Sequence, residues 1–154
     1  MIKKNKSEFI CVICDLENLI GGGLYTASDV QLVKTQIEGI LPDSKTAQYV
    51  VFSGERSKEA TRFGWQNAEV KFKDGDNGAD LLLVDRLSDV ELLKRSYGEI
   101  VVGGGDGKYR DPVARLIDSG LKVTLVVRED SLHRDYKSLD LDVVYIDPIQ
   151  IDAA

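Results

Sequence analysis

Three aspartates in this chain stand where carboxylates could share a ligand. Asp15 follows the apolar run FICVIC, Asp106 follows EIVVGGG, and Asp80 begins DLLLVDRL. Hard divalent cations such as Mg²⁺ or Mn²⁺ take oxygen ligands: one or two carboxylates, waters and substrate phosphates. Zinc would ask for a histidine or cysteine cluster, and none is present. The only histidine, His133, lies in DSLHRDY and reads as a surface or cap residue. An aspartate after a strand can also be a helix cap or a turn former, and Asn18 by itself reads as a turn residue. The joint placement of the three acids carries the chemical argument. Lys108 adds to it, because it puts a cation two residues from Asp106 in VVGGGDGKYR. The glycines around Asp106 let the backbone turn tightly and let a ligand come close.

The elements that must position these residues alternate along the chain. Short apolar runs predict strands at 9–14, 47–53, 69–73, 99–103, 121–127 and 141–146. A helix is predicted over 29–39, with Val30, Val33, Ile37 and Ile40 on its apolar face and Ser28 or Asp29 as its cap. A second helix is predicted over 56–67, with Ala60, Phe63 and Trp65 near its inner side. A helical region from about 79 to 96, broken near Ser88, comes next. DPVARLIDSG is a helix with Pro112 in its first turn and Gly120 as its stop signal. GGGLYTAS, 21–28, is a loop near Asp15 that either admits substrate or only connects. This alternation predicts an α/β three-layer sandwich with a mostly parallel central sheet. In such sheets ligands bind outside the carboxyl ends of the strands. Asp15 and Asp106 meet in one crevice if the first and fourth strands are neighbours, and Asp80 is a third candidate for it. Cys11 and Cys14 form a C-x-x-C pair, but inside a strand they point to opposite faces and read as core.

The 154 residues suit one domain, 1–154, with its core at about 9–147. A net charge of -6 argues against a basic coat for nonspecific nucleic-acid binding, though not against a small basic groove. No apolar run approaches the ~20 residues of a membrane span. MIKKNKSEF lacks the apolar core of a signal peptide, so the expected location is cytoplasmic. An RNA groove needs cations and stacking surfaces. Candidates are Arg56, Lys58, Arg62, Lys71, Lys73, Lys108 and Arg110, with Tyr25 and Tyr109 to stack on bases. Most of these cations read as solvated faces. Lys108 and Arg110 stand apart because their loop is already implicated. Single-stranded RNA suits such a surface, since its bases are free to stack.

ICDLENL resembles the D-x-x-N opening of NYN domains, which belong to the PIN-like nucleases. GADLLLVDRL resembles that family's K-x-x-D helix start. VVGGGDGKYRDPVARLIDSGLKVTLV resembles its S-G-D-x-D-F segment with the helix and strand that follow, and SLHRDYKSLDLDVVYID its closing pattern. The resemblance runs from about Phe9 to Asp147, and the order and spacing of the motifs carry it. It implies a PIN-like fold and a metal-dependent ribonuclease using Mg²⁺ or Mn²⁺. Asp15, Asp80 and Asp106 would be the acidic, metal-binding positions, and Asn18 would position a ligand or a water. Substrate contacts would come from Lys108, Tyr109, Arg110 and Arg56.

The chain also departs from the pattern. Lys108 stands at the family's second aspartate, Gly104 at its serine, Tyr109 at its phenylalanine and Asn77 at its lysine. Three readings follow from Lys108. It contacts the scissile phosphate in a one-metal nuclease. It occupies part of the metal position, leaving a noncatalytic module that binds RNA or a protein. Or Asp111 or Asp85 supplies the missing carboxylate, although Asp85, five residues after Asp80, is poorly aligned with it on a helix. GGGDGK is also similar to the G-G-D-G-T loop of lipid kinases, but the threonine is lysine here and a second domain would be missing. A homodimer is left open.

Overall fold

In the computed structural model, residues 6–22, 24–75, 78–129 and 132–149 are described. Asn77, which the resemblance to NYN domains sets against a lysine, lies outside them. The run FICVICD forms β1 (Phe9–Asp15), buried from Ile10 onward. Such a strand needs apolar cover on both faces. Its edges are filled by β2 (Thr46–Gly54) and β4 (Glu99–Gly103), both parallel to it. β3 (Glu69–Lys73) pairs outside β2, while β5 (Lys122–Arg128) and β6 (Asp142–Ile146) follow β4. The sheet is all parallel, in the order β3-β2-β1-β4-β5-β6. The chain works outward from β1 to β3, crosses back to β4, and works outward again. The seam between β1 and β4 is where the winding reverses, which is where doubly wound sheets open a crevice.

Helices cover both faces. α1 (Leu16–Ile20), α2 (Ala27–Ile40) and α3 (Lys58–Gly64) lie on one side, around a core that includes Val12, Cys14, Val30, Val33, Ile37 and Trp65. α4 (Gly78–Leu87), α5 (Val90–Ser96) and α6 (Arg110–Asp118) lie on the other, with Cys11, Ile13, Leu83, Leu87, Val102 and Val113 among the buried contacts. The two cysteines are therefore core residues on opposite faces, both unbridged. Burial pushes both thiols up, Cys11 to about 11, so neither is a ready nucleophile. No helix among the described residues is long and apolar enough to cross a membrane.

Three local points of difference from the sequence reading bear on how the helices pack, besides Ile40, which is exposed at the end of α2 and not on its apolar face. The cap of α2 is Thr26, not Ser28 or Asp29. Its hydroxyl accepts the Asp29 N–H at 3.2 Å, and Asp29 accepts the Thr26 N–H at 2.9 Å. Asp29 is thus the third residue of a reciprocal box rather than its start. Phe63 points outward, 65% exposed, because α3 turns Gly64 toward α2 instead. A Cβ on Gly64 would lie 2.5 Å from the Val30 Cβ, and this close approach rotates the neighbouring ring into solvent. The third point is α1, a helix inserted directly after Asp15. It ends at Gly21, whose φ of 96° only glycine adopts readily.

Candidate active site

Asp15 is both the last residue of β1 and the N-cap of α1. One oxygen, Oδ1, accepts the Asn18 backbone N–H at 3.2 Å. The other, Oδ2, accepts the hydroxyl of Tyr109. The carboxyl is buried, and that burial pushes it up to about 6, against the opposing pull of the two hydrogen bonds. Asn18 faces the other way. Its Oδ1 accepts the Gly105 N–H at 2.8 Å, tying α1 to the loop after β4.

That loop carries Asp106. Gly104 turns it at a φ of 139°, in a space where a Cβ would sit 2.9 Å from the Tyr109 ring. The glycine at position 104 thus has a local reason. Asp106 caps a short 3-10 turn, Gly107–Tyr109, by accepting the Lys108 N–H on Oδ1 at 2.9 Å. A second 3-10 turn, Arg134–Ser138, buttresses the loop. From it Tyr136 donates its hydroxyl to the Asp106 carbonyl, and the His133 N–H donates to the Gly105 carbonyl at 3.0 Å. His133 caps that turn through Nδ1, which accepts the Asp135 N–H at 3.2 Å, in keeping with its sequence reading.

Asp80 enters from the opposite wall, in the first turn of α4. It is only 5% exposed. Its Oδ2 accepts the Lys108 ammonium at 2.9 Å, while its Oδ1 is buried with no hydrogen-bond partner among the described residues. The bond to Asp80, helped by the nearby Asp106 and Asp15, raises the Lys108 pKa above its ordinary value. The side chain of Lys108 is 50% exposed, so the ammonium sits at the mouth of the site and not inside the core. The condition set by the sequence is met: β1 and β4 are neighbours, and Asp15, Asp80 and Asp106 line one cleft of about 280 Å³ with Asn18, Glu17 and the Gly21–Gly22 backbone.

The residues fit a hard cation at one place. Asp80 lines the cleft, and its buried Oδ1, without a hydrogen-bond partner among the described residues, is the oxygen such an ion would satisfy. Among the described residues, no three acids, histidines or cysteines close into a ready-made metal cage. The Lys108 ammonium holds the second Asp80 oxygen instead. The donor set therefore suits a single ion bound largely through water.

Several expected contributors lie elsewhere. Tyr109 cannot stack on a base, because it is fully buried with its hydroxyl on Asp15. Tyr25 is buried too, 3.3 Å from the Thr61 hydroxyl. Arg110 is turned to Asp111 at 3.2 Å and to Ser138 at 3.4 Å, away from the cleft lining. Neither Asp85 nor Asp111 lines the cleft, and Asp111 has 80% of its side chain exposed. Arg56 is exposed in the 3-10 turn after β2. Lys58 and Arg62 gather over Phe72 on β3, at 4.7 and 5.3 Å from its ring centre. They also pair with Glu55 and Glu59, and Lys71 with Glu69, so this cationic group is largely neutralised. The residue that sequence reasoning missed is Glu17. Its signal was its place two residues past Asp15, in a helix too short to show periodicity.

Comparison with known proteins bears on the fold alone. No family model matches the chain, and no curated protein matches it. Among solved structures it is similar to VPA0982 of Vibrio parahaemolyticus, a protein of unknown function. The TM-score is 0.66 at 15% identity, over 97% of this chain and 99% of that one.

Proposed function

We propose that the chain is a metal-dependent ribonuclease acting on single-stranded RNA, with the scissile phosphodiester bound at the cleft between Asp15, Asp80 and Asp106. One observation carries this reading. Three aspartates from separate segments converge at the seam of a parallel sheet, and one of them keeps a buried oxygen without a partner. Asp80 through Oδ1 would hold Mg²⁺ or Mn²⁺, with Asp15 and Asp106 facing the same space. The ion would supply Lewis-acid polarisation of the phosphate and an activated water.

The chain's own residues do the rest. Tyr109 fixes the Asp15 carboxylate by holding Oδ2, and the Asn18 N–H holds Oδ1. Asn18 and Tyr136 fix the Asp106 loop from two sides. Lys108 carries a positive charge at the rim, where a phosphate would arrive.

The bond between Lys108 and Asp80 favours a second reading: a noncatalytic RNA-binding module in which the ammonium stands permanently in the ion's place. One assay separates the two. End-labelled unstructured RNA is incubated with the protein in Mg²⁺, in Mn²⁺ and in chelator, with Asp106→Asn alongside. Cleavage that needs the metal and is lost in the variant supports the nuclease. RNA binding without cleavage, equal in metal and in chelator, supports the module.

A further inference from the structure

We propose that Lys108 is a tethered counter-cation that exchanges with a divalent ion at Asp80, so that the ion's arrival frees the ammonium to bind an RNA phosphate. The inference rests on the reading of this cleft as a phosphodiester site and adds its regulation. Three observations support it. First, the ammonium satisfies only one oxygen of Asp80, at 2.9 Å, and leaves Oδ1 buried and unpartnered. The charge of the carboxylate is paired, but only one of its two oxygens is satisfied, so Oδ1 is left to take a second positive partner. Second, an ion at Oδ1 would stand beside the ammonium on the same carboxylate, and the two like charges would repel. Third, the lysine can yield without disturbing the site. Its backbone N–H is pinned by Asp106 Oδ1 at 2.9 Å, while its side chain is half exposed on a flexible stem.

The surroundings make the exchange consequential. Asp80 of α4, Asp106 of the lysine's own turn and Asp15 at the end of β1 are the charges that act on the ammonium. Glu17 adds a fourth acid to the cleft wall. While Lys108 is spent on Asp80, a phosphate meets an acidic cleft. Once an ion holds Asp80, the phosphate meets both the ion and the freed ammonium. Ion and RNA then bind with positive coupling through one side chain, and such coupling is reciprocal.

The test uses the whole chain, Mn²⁺ alone and a 2′-O-methyl oligouridine that cannot be cleaved. Mn²⁺ affinity is measured by titration calorimetry on the wild type, Lys108→Met, Lys108→Arg and Asp80→Asn. Exchange predicts that Lys108→Met binds Mn²⁺ at least tenfold more tightly, Lys108→Arg does not, and Asp80→Asn loses the site. It also predicts that Lys108→Met weakens oligonucleotide binding at least fivefold more in saturating Mn²⁺ than in chelator. Equal Mn²⁺ affinity in wild type and Lys108→Met would overturn the exchange, as would an equal loss of oligonucleotide binding with and without metal. Neither result depends on turnover. If metal-dependent RNA cleavage persists when the exchange fails, the nuclease reading survives. If the exchange holds and the wild type does not cleave RNA in either metal, that reading falls alone.

Discussion

Asp15 shows what the site demands of a single residue. Burial raises its carboxyl from 3.8 to about 6, so the folded chain holds that proton more tightly than the unfolded chain does. The stability tied to this proton is full below about pH 4 and is lost as pH rises through about 6. At neutral pH the ionised carboxylate is a burden of roughly 3 kcal/mol, since a tenfold change in proton affinity is worth about 1.4 kcal/mol. Asp15→Asn should therefore be the more stable protein at pH 7.5, by about 1–3 kcal/mol in urea unfolding, and gain little at pH 4. Asparagine caps a helix about as well as aspartate, so the cap itself is kept. An equal effect at both pH values would mean that Asp15 ionises as freely folded as unfolded. On the proposed nuclease reading the same variant should lose RNA cleavage, a trade of function for stability. Tyr109→Phe tests the partner. The hydroxyl favours the ionised form of Asp15, so its removal raises that pKa further. The acid limb of the pH–activity profile should then move to higher pH, and an unmoved limb would separate Asp15 from catalysis. Asp15 and Asp106 were legible in the sequence because an acid after an apolar run is a local pattern, and Asp80 because it opens an apolar helix. The role of Tyr109 was not, because its partner lies 94 residues away and burial turned an expected stacking ring into a positioning group.

At the scale of elements, legibility followed length and periodicity. β3 and β4 have the limits their alternating or apolar runs implied, and the break near Ser88 falls between α4 and α5. α1 escaped notice because five residues cannot display a helical period. It nevertheless delivers Glu17 and Asn18 to the cleft. The cap of α2 was misplaced by two or three residues, because a capping box contains two polar residues and only backbone geometry tells which one starts the helix. Two substitutions on this side of the sheet should separate capping from packing. Thr26→Ala removes one box and should cost about 1 kcal/mol. Gly64→Ala forces a Cβ to within 2.7 Å of the Ala27 carbonyl as well as against Val30. Overpacking of that kind costs roughly 1–3 kcal/mol. Denaturant midpoints should rank Gly64→Ala below Thr26→Ala. The reverse order would mean that α2 and α3 can part at little cost.

At the scale of the whole molecule, the cleft exists because of strand order, and strand order is the part the sequence carries least well. Alternating elements imply a parallel sheet, but every parallel pairing is nonlocal, and no local pattern says that β4 returns to the side of β1. The return places residues 15 and 106 at one edge and swings α4 across to bring residue 80 against them. An ion bound there would join three segments that come together only in the folded chain, so its binding energy would add to global stability. At a free Mn²⁺ concentration about one hundred times the dissociation constant, the gain should be about 2.7 kcal/mol. Thermal unfolding with Mn²⁺ and with chelator should show that gain in the wild type. Asp80→Asn should not show it, because the variant removes the carboxylate charge that asks for an ion while leaving the sheet untouched. A gain of the same size in Asp80→Asn would place the bound ion elsewhere and detach the three aspartates from any metal chemistry. Lys108→Met should unfold at a higher temperature than the wild type at one subsaturating Mn²⁺ concentration, relative to each protein in chelator, because its site is already cleared of the competing ammonium.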